Sequence, residues 1–306
     1  MSCTQGVWNA LAVMMAGFKP PWKVGSTDIL EWRCGISRTR GATDWFAMTE
    51  YVQQLFGIEG KLALVTGSTR GLGRTLALTL ARAGADVVLH GRDEAAGNSV
   101  KEEVEAGTGR KAYFYRFDVT DPQATKEGIE AILAERGVPD ILVNNAGLQR
   151  RAPFQEFATS DWDDIVATNL SSVFYVSRFV APGMVERGSG KIINVGSVQS
   201  LLARQTIAPY SATKGGVVQL TKGMAADLAR YNIQVNALSP GYFATEMNKA
   251  LVEDEDFTAW LEARTPAQRW GDFSELASAL LFLAAPGSSF VSGQNIFVDG
   301  GMTAVV

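Results

Sequence analysis

From Gly60 to the C-terminus, short runs of apolar residues alternate with longer segments in which apolar residues recur every three or four positions. The short runs predict strands and the longer segments predict amphipathic helices. The predicted strands are Lys61–Thr66, Asp86–Leu89, Ala112–Phe117, Ile141–Val143, Ile192–Val195, Gln234–Leu238 and Asn295–Val298. The predicted helices are Leu72–Ala83, Ala95–Glu105, Gln123–Arg136, Asp161–Glu186, Tyr210–Tyr231 and Ser274–Ala284. Because the strands are largely continuous apolar runs, we predict an α/β fold: a doubly wound, seven-stranded parallel sheet with helices on both faces, in a single domain.

The first part of the chain differs from the rest in composition and in hydrophobic pattern. Residues 1–55 hold four of the seven tryptophans and show no clear period, so we predict an N-terminal extension before a domain at 56–306. Met48 is the predicted native start, and the residues before it are either an over-extension of the coding frame or a disordered tail. Val7–Phe18 is apolar but too short to span a bilayer, and it lacks the basic flank of a signal peptide. We therefore expect a cytoplasmic protein with no membrane partner.

Composition and charge exclude several classes of function. The net charge of −4 argues against a nucleic-acid partner. Both cysteines, Cys3 and Cys34, lie in the extension and indicate no disulfide framework, with a redox pair as the alternative. Residues 60–306 contain no Cys, so a zinc-dependent dehydrogenase is disfavoured and we predict no metal. The single histidine, His90, has no nucleophile motif placed to use it, which argues against a Ser-His-Asp hydrolase.

The loop after the first predicted strand is rich in glycine. Gly67-x-x-x-Gly71-x-Gly73 joins that strand to the first helix, as in a Rossmann-type dinucleotide site. Glycines let the backbone approach a pyrophosphate, and the helix N-terminus supplies amide donors. An ordinary strand-to-helix turn is the alternative. The residues expected to bind a cofactor here are Gly67, Ser68, Thr69, Arg70, Gly71, Leu72 and Gly73.

The end of the second strand bears on the choice of cofactor. Proteins that bind NAD tend to place a carboxylate there for the ribose hydroxyls, but this chain has His90-Gly91-Arg92 and no acid before Asp93. Arg92 and Arg70 together match a 2′-phosphate, so we predict NADP(H), with NAD(H) as the second candidate. The alternative for Arg92 is a solvated surface residue. Further cofactor contacts are expected after the third and fourth strands, from Asp118, Val119, Asn145, Ala146 and Gly147.

Tyr210 and Lys214 stand four residues apart, so a helix places both side chains on one face. An ammonium beside a phenol stabilises the phenolate. We therefore predict that Lys214 lowers the pKa of Tyr210 and suits it to proton transfer near neutral pH. Ser197 follows the fifth strand, 13 residues upstream of Tyr210. Together with the glycine-rich loop, these residues predict an alcohol/ketone oxidoreductase that uses a nicotinamide cofactor.

Six motifs resemble those of the short-chain dehydrogenase/reductase family: Thr66–Gly73, Asn144–Gly147, Asn169, Ser197, Tyr210–Lys214 and Ser239–Gly241. The resemblance runs from about Gly60 to the C-terminus. It implies a catalytic tetrad of Asn169, Ser197, Tyr210 and Lys214. In that tetrad Tyr210 is the acid/base, Ser197 bonds the substrate oxygen, and Lys214 binds the nicotinamide ribose.

The same family resemblance implies further contacts and an assembly. It implies that Asn169 holds a water of a proton relay through a local kink in its helix. It also implies contacts to the nicotinamide amide from Pro240, Gly241 and Thr245. The helices predicted at Asp161–Glu186 and Tyr210–Tyr231 would pair between subunits, giving a homotetramer.

Segments of the second half resemble one group within the family, the gluconate 5-dehydrogenases or 5-keto-gluconate 5-reductases. These segments are Leu148–Phe154, Gly196–Ser200, Ala208–Tyr210, Ala229–Asn236, Gly241–Met247 and Arg264–Gly271. The resemblance implies NADP(H)-dependent interconversion of D-gluconate and 5-keto-D-gluconate with tyrosine acid/base catalysis. The alternatives are a 2-deoxy-gluconate 3-dehydrogenase, another ketone or 3-oxoacyl carrier-protein reductase, and a cofactor-binding sensor on the same fold.

Several polar residues agree with a sugar-acid substrate. Arg151 follows the fourth strand at the rim of the expected pocket, where a guanidinium can pair with a carboxylate. For its neighbour Arg150, a surface or interface role is the alternative. The stretch Tyr242–Trp270 is long and irregular, as in a closing lid, and Glu253–Asp256 would be its solvated outer face. The candidate substrate residues are Arg151, Ser197, Gln199 and Tyr210.

Overall fold

A computed structural model describes residues 50–244 and 249–306. This part of the chain forms a seven-stranded sheet in the order β3-β2-β1-β4-β5-β6-β7. The strands are β1 (Leu62–Val65), β2 (Asp86–Gly91), β3 (Ala112–Arg116), β4 (Ile141–Asn144), β5 (Gly190–Val195), β6 (Ile233–Pro240) and β7 (Asn295–Val298). Each neighbouring pair is parallel, which confirms the predicted sheet. The predicted start at Met48 and residues 1–49 of the predicted extension lie outside the described residues.

The helices connect the strands in alternation, as predicted. They are α1 (Gly71–Arg82), α2 (Glu94–Thr108), α3 (Pro122–Arg136), α4 (Thr159–Val166), α5 (Ser172–Arg187), α6 (Ala208–Leu228), α7 (Lys249–Val252), α8 (Glu255–Arg264) and α9 (Ala277–Ala284). Residues 50–56 are also helical, and a 3₁₀ turn at Phe273–Leu276 precedes α9. Within the described ranges, no helix combines the length and apolar character needed to cross a bilayer.

Two apolar layers explain why the strands carry no polar face. Along β1, Ala63 and Val65 belong to one buried cluster and Leu64 belongs to the other, because successive side chains point to opposite faces. The first cluster includes residues of α1, α2 and α9, and the second includes residues of α3, α5 and α6. Each fully buried aliphatic side chain contributes about 1.5–3 kcal/mol. The helices therefore fix the sheet from both sides and leave the carboxyl ends of its strands to form a site.

The predicted single helix Asp161–Glu186 is wrong in two respects. It begins earlier than predicted, at Thr159, with Ala158 as an N-cap residue that makes no side-chain cap hydrogen bond. The helix is also interrupted by a π-helical turn at Ala167–Ser171, between α4 and α5. That turn is the local distortion that the family resemblance implied at Asn169.

The stretch Tyr242–Trp270 is more regular than predicted. It contains α7 and α8, and Asp254 caps α8 by accepting a hydrogen bond from Phe257 N at 3.0 Å. Glu255 and Asp256 then occupy the first turn, where carboxylates interact favourably with the helix dipole. The acidic run is exposed, as expected, but it also starts a helix.

Candidate active site

The glycine-rich loop is held between β1 and the segment after β4. Thr66 Oγ1 accepts hydrogen bonds from the backbone N–H groups of Asn145 and Ala146 at 3.0 and 3.1 Å. In return, Asn145 Nδ2 donates to the carbonyls of Thr66 and Gly67 at 3.0 and 3.1 Å. A Cβ at Gly73 would collide with the Gly67 carbonyl and with Asn145 Nδ2, so only glycine fits there. The residues predicted to contact the cofactor after β4 thus also shape the loop after β1.

The loop geometry fits the pyrophosphate of a dinucleotide. Gly67 and Gly71 adopt φ values of 63° and 54°, the left-handed region that glycine reaches without strain. Arg70 is the N-cap residue of α1, and its guanidinium, which has only donors, leaves the first amides of the helix without a side-chain acceptor. These amides and the helix dipole favour an anionic group at this position.

His90 supports the glycine-rich loop, a role that the sequence did not predict. Its Nδ1 accepts a hydrogen bond from Gly67 N at 3.2 Å, so Nε2 carries the proton and donates to the Phe117 carbonyl at 3.1 Å. The ring is buried. The His90 carbonyl accepts from Ser68 N, and His90 N donates to Ser68 Oγ, each at 2.9 Å. Burial is the main cause that lowers the pKa of His90 to about 4. The neutral imidazole therefore links the loop to the end of β3, where Asp118 follows.

We expect His90→Asn to remove a large part of the acid sensitivity of the fold. Because the pKa of His90 is about 4 in the folded protein and near 6.5 when exposed, its contribution is complete above about pH 6.5 and is lost as the pH falls toward 4. The loss between pH 7 and pH 4 amounts to roughly 3 kcal/mol. Denaturant unfolding at both pH values measures it. The chain has one His, so no second imidazole obscures the comparison; an equal pH dependence in variant and wild type would contradict the prediction.

Three of the four residues of the predicted tetrad meet at the ends of β5 and α6. Ser197 follows β5; its hydroxyl accepts from Gln199 N at 3.1 Å and is near enough to Tyr210 to act on the pKa of the phenol. Tyr210 lies in the first turn of α6 and Lys214 one turn later, with Nζ 5.7 Å from the centre of the tyrosine ring. The buried Lys214 ammonium donates to the Val195 carbonyl at 2.6 Å.

Asn169 joins this group from the π-helical turn. Its Oδ1 accepts from Leu148 N at 2.8 Å, and its Nδ2 donates to the Leu148 carbonyl at 2.9 Å and lies 3.4 Å from Thr213 Oγ1. These bonds tie the turn to the segment after β4 and to α6. Asn169 therefore positions the segment that leads to Arg151, and its implied role in holding a water stays a prediction.

The predicted effect of Lys214 on Tyr210 is wrong for this structure. Burial raises the pKa of Tyr210 above its usual value, and the hydrogen bond with Ser197 acts against this rise. Burial also lowers the pKa of Lys214 to about 8. The two residues do share one helix face, as predicted, but the ammonium is engaged by the Val195 carbonyl and the apolar surroundings dominate the phenol.

The remaining cofactor candidates lie along the same edge of the sheet. A Cβ at Gly91 would lie 2.5 Å from Thr69 Cγ2, so the end of β2 packs on the glycine-rich loop. Arg92, which follows, is exposed and pairs with Asp118 at 3.3 Å. Pro240 ends β6, and Gly241 N bonds the Val298 carbonyl at 2.9 Å. Of the other candidates, Ser68 and Val119 are buried, Thr69 and Leu72 are half-buried, and Arg70 and Gly147 are exposed. Thr245 lies outside the described residues.

The two arginines after β4 have different surroundings. Arg150 pairs with Asp161 at 3.3 Å and Asp164 at 3.5 Å, so the alternative of a surface role fits it. Among the residues that the structure describes, Arg151 makes no such pair; its Nη2 lies 3.4 Å from Gln149 Oε1. No group of three or more His, Cys, Asp or Glu side chains in the described part of the chain could hold a metal ion.

Two residues near the predicted substrate site were missed. Arg204 lies in the loop between Ser197 and Tyr210, and its charge acts on Arg151. Tyr242 follows β6 and contacts Gln199. Gln199 Nε2 donates to the Tyr242 hydroxyl at 3.3 Å, and Gln199 is only 7% exposed. A charged residue in the loop between Ser197 and Tyr210 was the signal that could have pointed to Arg204.

Comparison with known proteins agrees with this geometry. A family described as enoyl-(acyl carrier protein) reductase matches residues 67–303. Gluconate 5-dehydrogenase of Gluconobacter oxydans is 55% identical over 249 residues, which are 81% of this chain and 97% of that protein. The 5-keto-D-gluconate 5-reductase of Escherichia coli is 49% identical over 83% of this chain and 100% of its own length.

A solved structure shows the same architecture. The crystal structure of a gluconate 5-dehydrogenase from Burkholderia cenocepacia, in complex with NADP and tartrate, matches with a TM-score of 0.81 at 51% identity. The match covers 83% of this chain and 100% of that one. The fold, the placement of the predicted motifs at one edge of the sheet and these similarities agree, and the chain belongs to the short-chain dehydrogenase/reductase family.

Proposed function

We propose that this protein is an NADP(H)-dependent oxidoreductase that interconverts D-gluconate and 5-keto-D-gluconate. The observation that carries the proposal is the meeting of Ser197, Tyr210 and Lys214 at the ends of β5 and α6, with Lys214 Nζ 5.7 Å from the centre of the Tyr210 ring, beside a cationic substrate region. Tyr242 lies between Tyr210 and this cationic region, because it is close enough to Tyr210 to raise the pKa of that phenol and close enough to Arg151 for the guanidinium charge to act on its own pKa. Relatives named for this reaction at 49–55% identity support the choice of substrate.

In the proposed reaction, the cofactor would supply the hydride, and side chains of the site would transfer the proton and bind the reacting oxygen. Bound NADPH supplies the hydride for the C5 carbonyl. Tyr210 donates its phenolic proton to the carbonyl oxygen, and Ser197 holds that oxygen by a hydrogen bond as charge develops on it. Lys214, on the same helix face, binds the nicotinamide ribose. In the direction of gluconate oxidation, Tyr210 takes the proton back.

The preference for NADP(H) rests on the charges at the end of β2. Asp93 is the first acid after β2, and its Oδ1 accepts from Ala96 N at 3.0 Å as the N-cap of α2. This bond orients the carboxylate toward the helix, whereas the exposed guanidinium groups of Arg70 and Arg92 are available for a 2′-phosphate. The NADP bound to the Burkholderia cenocepacia relative supports the same choice.

The direct test is the loss of NADPH absorbance with 5-keto-D-gluconate, repeated with NADH and with 2-keto-D-gluconate. We expect kcat/KM to be highest for NADPH with 5-keto-D-gluconate, by about tenfold or more over either replacement, a margin of about 1.4 kcal/mol. Activity with NADH alone would keep the fold and the catalytic residues but overturn the cofactor. Turnover of neither sugar acid would overturn the substrate.

Assembly and location stay predictions. Trp162 on α4 and Phe174 on α5 are 43% and 49% exposed in the single chain, as helix faces that pair between subunits would be. These apolar side chains support the predicted homotetramer. The cytoplasmic location rests on the sequence argument alone.

A further inference from the structure

Two guanidinium groups lie close together on the substrate side of the site. Arg151 comes from the segment after β4, and Arg204 comes from the loop between β5 and α6. Burial lowers the pKa of Arg151, and the charge of Arg204 lowers it further, so the two guanidinium groups are near enough to interact. Among the residues that the structure describes, neither forms an ion pair, whereas the adjacent Arg150 forms two. Like charges held together without acids indicate a site for an anion.

The Arg204 side chain is fixed from one side by aromatic residues. Its Cζ lies 5.5 Å from the centre of the Phe257 ring, a cation–π distance. Phe257 in turn packs on Tyr242, with ring centres 5.7 Å apart, and Trp260 and Trp270 pack on Tyr242 at 6.1 and 6.0 Å. Helix α8 and the residues around it therefore hold Arg204 in a partly apolar setting.

Two buried polar atoms next to these groups have no hydrogen-bond partner within the described chain: Arg204 Nε and Gln199 Oε1. Leaving a buried donor or acceptor unpaired costs about 1–3 kcal/mol, so such atoms are expected to meet a ligand. Arg204 Nε is a donor and suits a carboxylate. Gln199 Oε1 is an acceptor and suits a sugar hydroxyl.

These groups offer one contact for each kind of group that a sugar acid carries. Ser197 and Tyr210 bind the reacting oxygen. Gln199, two residues beyond Ser197, is buried beside them, with 7% of its surface exposed. Tyr242 bonds Gln199 and is the group on which both guanidinium charges act. A carboxylate several carbons from the carbonyl would thus meet the two arginines when the carbonyl meets the hydroxyl pair.

We propose that Arg204, together with Arg151, binds the carboxylate of the substrate and makes the enzyme selective for sugar acids over uncharged ketoses. This inference rests on the proposed function, which it extends from the reaction to the recognition of the substrate. Tyr242 and Phe257 are positioning residues, since they hold the Arg204 guanidinium toward the pocket. Gln199 contributes the neighbouring hydroxyl contact.

The test compares Arg204→Gln, Arg204→Lys and Arg151→Gln with Arg150→Gln as the matched control. Five quantities are measured: KM and kcat for 5-keto-D-gluconate, kcat/KM for D-fructose as an uncharged ketose, the Kd of tartrate for the enzyme–NADP complex by calorimetry, and the Kd of NADPH. We expect Arg204→Gln to raise KM for the sugar acid and Kd for tartrate by about 10- to 100-fold, as for one charge-assisted hydrogen bond. Arg204→Lys should fall between wild type and Arg204→Gln.

The controls separate recognition from folding. Arg204→Gln should leave kcat, the Kd of NADPH and any turnover of D-fructose close to wild type, and Arg150→Gln should leave all of the measured values close to wild type because its charge is paired at the surface. If Arg204→Gln keeps the wild-type KM and tartrate affinity while Arg151→Gln loses both, Arg204 does not bind the carboxylate. A parallel loss of NADPH binding in Arg204→Gln and Arg204→Lys would assign Arg204 a structural role and overturn the proposal.

The same measurements distinguish this inference from the proposed function. A wild-type enzyme that does not reduce 5-keto-D-gluconate, but binds tartrate in a manner dependent on Arg204, would refute the proposed substrate and retain the carboxylate site. A wild-type enzyme that reduces D-fructose as well as the sugar acid and binds no tartrate would refute the carboxylate site and retain the proposed activity on 5-keto-D-gluconate.

Discussion

Replacing Tyr210 with Phe will lower kcat for the reduction of 5-keto-D-gluconate by about 10²- to 10⁴-fold, the range for losing one proton donor. Phe keeps the ring at the start of α6 and removes only the phenolic hydroxyl. The Kd of NADPH should stay close to wild type, because Lys214 keeps its hydrogen bond to the Val195 carbonyl. Steady-state kinetics and a fluorescence titration with NADPH measure the two quantities.

Tyr242→Phe is the matched control, since it removes a second phenolic hydroxyl from the same site. That hydroxyl accepts from Gln199 Nε2 at 3.3 Å, so its loss should act mainly on KM through Gln199 and Arg204. Equal losses of kcat in the two variants would mean that the polarity of the site, rather than a proton donor, is responsible. Loss of NADPH binding in Tyr210→Phe would mean that Tyr210 is structural.

The direction of the pKa shift adds a pH signature to the same prediction. Burial raises the pKa of Tyr210, so the phenol stays protonated through neutral pH and is ready to donate in the reductive direction. Oxidation of gluconate needs the proton acceptor form and should speed up as the pH rises. In wild type, the rates of reduction and of oxidation should therefore change in opposite directions as the pH rises. Tyr210→Phe should abolish this difference, whereas Tyr242→Phe should retain it.

The sheet could be predicted from the sequence because its strands are buried on both faces. Neighbouring residues such as Leu64 and Val65 belong to opposite apolar layers, so each strand is a short continuous apolar run that local inspection detects. Element ends were harder to predict. Ala158 begins α4 without a side-chain cap, and no residue type marks that start.

The polar groups of the site could be predicted where a fixed spacing marks them. Ser197, Tyr210 and Lys214 come from consecutive elements, β5 and α6, whose relative position the fold determines. Arg204 and Tyr242 come from different loops, and their proximity depends on how aromatic residues of α8 pack, which no local pattern encodes. Tertiary packing also explains the error for Tyr210, since burial outweighs the charge of a lysine that the backbone has engaged.

Replacing Arg92 with Asp will shift the ratio of kcat/KM for NADPH and NADH toward NADH by about 100-fold. The substitution removes one or two charge-assisted hydrogen bonds to a 2′-phosphate, each of about 1.5–3 kcal/mol. It also places at the end of β2 the carboxylate that favours free ribose hydroxyls. Initial rates with both cofactors at saturating 5-keto-D-gluconate measure the ratio.

The existing ion pair of Arg92 does not stand in the way of this role. Arg92 and Asp118 are 3.3 Å apart, with side chains 74% and 39% exposed. An exposed pair of this kind contributes about 0–1 kcal/mol, less than a guanidinium gains from a doubly charged phosphate. The guanidinium can therefore leave Asp118, which keeps its hydrogen bonds to Thr120, for the cofactor at small cost.

Arg116→Asp is the control for Arg92→Asp. Arg116 is exposed at the end of the neighbouring β3, where it pairs with Glu94 at 3.7 Å, so the variant makes the same change of charge beside the predicted phosphate site. If the cofactor preference reflects the general charge of this rim, both variants will shift it equally. If it reflects a bond from Arg92, only Arg92→Asp will shift it. A wild-type enzyme that uses NADH at least as well as NADPH would contradict the assignment and leave Arg92 as the surface partner of Asp118.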